Sequence, residues 1–98
     1  MALDGRQRRF LRGRAHALKP VGQVGKNGLT EEILVHLGRE LDAHELIKIK
    51  FVDFKDEKRE ICAEIETRLA CDLVGTVGHV AILFRPALDP ERRRIELP

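Results

Sequence analysis

Between residues 25 and 28 the chain reads Gly-Lys-Asn-Gly, and this run carries the clearest chemical signal in the sequence. A glycine at each end lets the backbone come close to a bulky partner and adopt positive φ. Lys26 adds a cation, and Asn27 adds an amide that both donates and accepts hydrogen bonds. Thr30 is a good helix N-cap, with Glu31 and Glu32 in the turn it starts. Unpaired N–H groups at a helix start favour a phosphate. Gly25, Lys26, Asn27 and Gly28 are therefore a candidate clamp for a phosphate backbone. The same residues also fit an ordinary glycine-rich turn from strand to helix, and two nearby carboxylates repel phosphate unless they point away. Gly22–Gly25 and Gly75–Gly78 match the same spacing, but neither falls between a strand and a helix.

Charge supplies a second signal. Residues 1–28 hold seven Lys/Arg (Arg6, Arg8, Arg9, Arg12, Arg14, Lys19, Lys26) against Asp4 alone, a balance of +6. The other seventy residues hold eleven Lys/Arg and fifteen Asp/Glu, a balance of −4. That polarity suits a polyanionic partner, and it also suits a solvated basic helix. At about 100° per residue, Leu3, Phe10, Leu11, Ala15 and Leu18 form one apolar stripe. Arg8, Arg9, Arg12, His16 and Lys19 form a basic face on another side. Arg14 falls among the apolar positions, where its stem can lie along the core edge with its head in water.

Other chemistries find little support. Lys26 is followed by Asn27, which breaks the Walker pattern, and no G-x-G-x-x-G occurs. The chain has no Ser. Cys62 and Cys71 lie nine residues apart, roughly 13 Å along a helix, beyond disulfide reach. His16, His36, His44 and His79 show no ligand spacing with them. Buried thiols are expected, with no metal, no cofactor, no small-molecule substrate and no enzymatic activity. With no Trp or Tyr, and with Phe51 and Phe84 at core-like strand positions, no base-stacking sheet surface is assured. Contact with the backbone of structured RNA is expected rather than base-by-base reading. Lys48 and Lys50 either extend that footprint or are solvated strand lysines.

These residues need a scaffold. A helix is expected over about 4–18, stopped by Pro20, then a short strand from Pro20 to Val24. A second helix runs about 30–43 on Ile33, Leu34, Leu37 and Leu41, with Gly38 suggesting close approach of another backbone. Glu45 to Val52 alternates as a strand, with Ile47, Ile49 and Phe51 on one side. A third helix, capped by Asp56 or a neighbour, runs to about Ala70 on Ile61, Ile65 and Leu69. Two β-rich runs, 73–77 and 80–84, flank Gly78-His79, a tight hairpin signal. The order is α-β-α-β-α-β-β, an α/β fold with a mixed four-stranded sheet packed with helices. Residues 1–86 are expected to form one domain, and 87–98 an extended basic tail carrying Arg92-Arg93-Arg94. No apolar run approaches the roughly 18 residues of a membrane span, and no apolar stretch follows the arginine-rich start. A cytoplasmic protein is expected.

The run Arg8-Arg9-Phe10-Leu11-Arg12, Ala15-His16, Leu18-Lys19-Pro20-Val21, Val24-Gly25-Lys26-Asn27-Gly28-Leu29-Thr30, His44-Glu45-Leu46-Ile47-Lys48 and Leu83-Phe84-Arg85-Pro86 resembles the CRM domain (chloroplast RNA splicing and ribosome maturation). The likeness is greatest to bacterial single-domain YhbY-like proteins and spans residues 3 to about 86. The resemblance implies a fold similar to the C-terminal domain of translation initiation factor 3. It also implies RNA binding through the GxxG loop at Gly25, Lys26, Asn27 and Gly28, and association with ribosomal RNA in large-subunit precursors during ribosome biogenesis. Gly22 departs from the branched apolar residue more usual there, which weakens the first strand slightly. The expected partner is RNA, bound by a monomer. The alternative is a protein-interaction module that reaches the ribosome through a protein partner.

Overall fold

The first helix, α1 (Gly5–Ala15), begins with a reciprocal cap: Asp4 accepts from the Gln7 N–H, and the Gln7 side chain accepts from the Asp4 N–H. It ends three residues earlier than the sequence suggests. His16 and Leu18 close turns back onto Gly13 and Ala15, and Lys19, standing before Pro20, is biased away from helical geometry. Leu18 is consequently exposed, not part of the core stripe, whereas Leu3, Leu11 and Ala15 are buried as expected. In this computed structural model residues 3–98 are described; Met1 and Ala2, counted in the expected domain, lie outside the described residues.

The order continues with β1 (Gly22–Val24), α2 (Glu31–His44), β2 (Leu46–Phe51), α3 (Lys58–Leu69), β3 (Asp72–Val77) and β4 (Val80–Phe84). The sheet order is β1-β2-β4-β3, with β1 parallel to β2 and the other pairs antiparallel. The mixed four-stranded sheet is thus as the α-β-α-β-α-β-β reading required. β1 is short, yet Gly22 has a packing reason: a Cβ there would stand 3.1 Å from the Leu37 side chain. Gly38 meets no foreign backbone; its nearest neighbour is the Leu69 side chain, and its carbonyl accepts from Arg85.

The two faces of β2 feed two cores, as its alternation predicts. Ile47, Ile49 and Phe51 pack with Leu34, Leu37 and Leu41 of α2 and Ile65 of α3. On the opposite face Leu46, Ile82 and Phe84 pack with Leu11 and Ala15 of α1. Among the described residues no side chain caps α3; a 3-10 turn (Lys55–Glu57) leads into it, and the expected Asp56 cap is not formed.

The C-terminal stretch differs most from expectation. Residues 87–98 include a 3-10 turn (Pro90–Arg92), and Ile95 is buried in the α1-side core with Leu97 half-buried beside it. The clip is Glu45, itself 1% exposed. Its carboxylate accepts N–H bonds from Ala87 at 2.7 Å, Arg94 at 2.6 Å and Ile95 at 3.1 Å. The basic tail is part of the fold.

Candidate functional site

The Gly25–Gly28 loop stands at the end of the sheet where β1 and β2 finish and the β3–β4 hairpin turns. The Val24 carbonyl accepts from the Val52 and Asp53 N–H groups, which pins the loop's entry to the exit of β2. The Gly28 N–H closes a turn onto the Gly25 carbonyl at 2.9 Å, leaving Lys26 and Asn27 exposed at its tip. Gly28 has φ +68° and is buried against the Phe54 ring, so its glycine identity has a conformational cause. Thr30 caps α2 through the Ile33 N–H, as expected. Glu31 is drawn toward α3, where its carboxylate pairs with Arg68 at 2.6 Å.

Phe54 was not singled out by the sequence. It adopts left-handed φ of +54°, its N–H held by the Asp53 side chain, and is 37% exposed beside the loop. An exposed aromatic is therefore present next to the glycines, though not on the sheet surface. Lys58 was also missed: it reaches the hairpin tip, donating to the Gly78 carbonyl and to His79 Nδ1. The His79 pKa is lowered, first by desolvation and then by Lys58 and Lys55. Lys55 lies in the 3-10 turn and Lys58 opens α3, where a helix start gives no periodicity to betray its direction.

The basic face of α1 divides on folding. Arg8 is half-buried, and its guanidinium donates to the carbonyls of Leu73 and Val74, tying α1 to β3. It is an anchor as well as a charge. Arg9 is exposed. Arg12 lies over Gly75, where a Cβ would come within 3.2 Å of its guanidinium. Arg12 and His16 share a concavity with Lys48, Val80 and Val77 on the half of the sheet that α1 leaves open. Lys48 is half-buried and donates to the Leu18 carbonyl, while Lys50 is exposed and pairs in register with Gln23, two residues before the loop. Lys19 lies apart from this group, in a cavity with Arg14. The Arg14 guanidinium sits 5.8 Å from the centre of the Phe10 ring.

The two thiols are free and buried, as expected, although Cys71 stands just beyond α3. Desolvation, aided by Glu66, pushes Cys62 up to about 11 and Cys71 up to about 12. Neither has the lowered pKa of a reactive thiolate. Among the described residues no helix is long and apolar enough to cross a membrane.

The order of elements, the glycine loop at a helix start and the basic open face define a small α/β binding domain. The sequence pattern of the CRS1/YhbY (CRM) domain matches residues 3–85, and the chain belongs to that family. A Haemophilus influenzae protein named as an RNA-binding protein is 39% identical, over 98% of this chain and 95% of its own length. A Bacillus subtilis protein named as a probable RNA-binding protein is 34% identical, over 98% and 99%. A Staphylococcus aureus protein solved in solution, described as a candidate RNA binder, superimposes with a TM-score of 0.83 at 31% identity, covering 99% of this chain and all of that one.

Proposed function

We propose that this chain is a non-catalytic RNA-binding protein that holds RNA backbone through the Gly25–Gly28 loop and the open basic face beside α1. The observation that carries the reading is the loop itself, with exposed Lys26 and Asn27 at the tip of a closed turn. From it a row of cations (Lys50, Lys48, Arg12) leads across the sheet, with His16 beside them. The names of the relatives support RNA as the ligand. The partner we favour is ribosomal RNA of the large-subunit precursor, bound by a monomer in the cytoplasm as an assembly factor. Gly28 gives the loop its shape through its positive φ, and Gly25 leaves open space for close approach of the backbone. Lys26 and Asn27 contact phosphate, and Arg9, Arg12, His16 and Lys19 extend the footprint. Arg8 contributes charge and holds the helix that presents the others.

Filter binding to large-subunit ribosomal RNA fragments tests this. Lys26→Glu and the pair Arg9→Glu/Arg12→Glu each weaken binding severalfold, with the circular dichroism spectrum unchanged. Each phosphate neutralised contributes about −0.7 to −0.9 to the log–log salt slope, so every cation removed flattens it by roughly that amount. Undiminished binding in both variants refutes the reading. Complexes from cell extract that survive nuclease favour recruitment through a protein partner instead.

A further inference from the structure

The opposite end of the sheet holds a cavity that the loop does not use. It measures about 310 Å³ and opens between the end of α1, the starts of β1 and β2, and the C-terminal segment. Its rim carries Arg14, Lys19 and Arg94, His44 also lines it, and among the described residues no carboxylate does. Val21, Leu46 and Ile95 give it an apolar floor. The size lies at the lower end for small organic ligands, about 300 Å³.

Chain segments far apart in sequence build this rim. Arg94 belongs to the docked C-terminal stretch, and it stands there because Glu45 accepts the backbone N–H groups of Arg94 and Ile95. That contact uses the Arg94 backbone and leaves its side chain exposed. His44, in the cavity lining, stands 3.3 Å from the Glu40 carboxylate. From the first to the last residue of β2 the cavity and the GxxG loop are separated by about 17 Å, at about 3.3 Å per residue.

We infer that this cavity takes one unpaired nucleotide of the bound RNA, its base on the apolar floor and its flanking phosphates on Arg14, Lys19 and Arg94. The inference rests on the RNA-binding reading above and adds a preference that a backbone clamp lacks. A phosphate clamp treats a continuous duplex and a bulged one alike. A nucleotide pocket discriminates, because only an unstacked base can enter.

The test uses two RNA hairpins, identical except that one carries a single-nucleotide bulge, with the full chain and three variants. Wild type binds the bulged hairpin about fivefold tighter, the lower end of what one base contact contributes. Arg94→Ala removes a rim cation without touching the clip. Leu18→Glu introduces an anion at a position already 39% exposed, so folding is spared. Both abolish the preference and leave affinity for the unbulged hairpin within about twofold. Lys26→Glu weakens both hairpins equally and keeps the preference. Equal wild-type affinity for the two hairpins overturns the pocket assignment while leaving RNA binding intact. So does a preference that survives both pocket variants, which would free the cavity for another occupant such as an acidic protein segment. Failure of wild type to bind either hairpin overturns the RNA reading and this inference together.

Discussion

Removing the Glu45 carboxylate should release the C-terminal segment while the rest of the fold persists. In Glu45→Ala the N–H groups of Ala87, Arg94 and Ile95 lose their shared acceptor. If the segment stayed docked, three unsatisfied donors would cost about 1–3 kcal/mol each. If it undocks, the donors reach water, and the apolar loss is chiefly Ile95, about 2 kcal/mol. Undocking also returns about 1 kcal/mol of backbone entropy per freed residue over some ten residues. Three charge-assisted bonds at about 1.5–3 kcal/mol each, with Ile95, roughly balance that entropy in the native protein. Without them the balance fails, so release is the cheaper route. Trypsin with mass spectrometry reads the outcome: cleavage at Arg92, Arg93 and Arg94 should accelerate at least about tenfold. Glu45→Gln falls between, because its amide oxygen can keep the Arg94 and Ile95 bonds while its NH2 faces the Ala87 N–H. Glu45→Gly releases the segment as Ala does, yet leaves the body about 1 kcal/mol more stable than Ala, because residue 45 has φ +65°. Tail cleavage in Glu45→Ala at the wild-type rate would refute the argument.

Arg8 and Arg9 are neighbours with opposite expectations. Arg8→Ala leaves the Leu73 and Val74 carbonyls without their cation and should cost about 1–3 kcal/mol, read as a Tm fall of roughly 5–15 °C. Arg9→Ala should change stability by less than about 0.5 kcal/mol, measured in the same melts, while weakening RNA binding. The thiols give a pH dependence whose sign follows from their burial. The folded pKa of Cys62 is raised from 9.0 to about 11 and that of Cys71 from 9.0 to about 12, so the folded state keeps protons that the unfolded chain releases. Stability from this source is complete below pH 9, begins to decline there, and is lost once pH has risen through the folded values of about 11 and about 12. Urea midpoints between pH 8 and pH 10 should therefore fall, and replacing both cysteines with Ala should flatten that decline even though it lowers the starting stability.

How much of this was legible in the sequence depended on range. Thr30, the Gly78-His79 turn and the alternation of Ile47, Ile49 and Phe51 act within a few residues, and each was read correctly. Arg8 falls on the basic face of α1, and its anchoring role is hidden there because a helical wheel records angle but not reach. Strand order β1-β2-β4-β3 brings β3 beneath α1, and a long side chain then spans the gap. Phe54 was passed over because its left-handed backbone follows from the exit of β2 and the Asp53 side chain, not from any pattern of apolar residues. The docked tail was missed for a related reason. Glu45 sits where a strand begins, and its three partners lie 42 to 50 residues further on.

The same long-range contact changes how the charge should be read. Along the chain the cations divide into a +6 start and a −4 remainder. In space that division does not hold, because Arg94 from the far end joins Arg14 and Lys19 from the start around one cavity. Lys48, Lys50 and Lys58, also from the acidic remainder, supply the open face and the loop end of the sheet. The acidic residues are partly consumed in pairing: Glu31 with Arg68 and Asp42 with Arg85. Cations therefore stand at both ends of β2 rather than at the N-terminal helix alone. The two ends are separable by mutation: the tail clip governs the cavity, and the Gly25–Gly28 turn does not depend on it. Glu45→Ala should accordingly erase discrimination between bulged and unbulged hairpins while Lys26 still binds both.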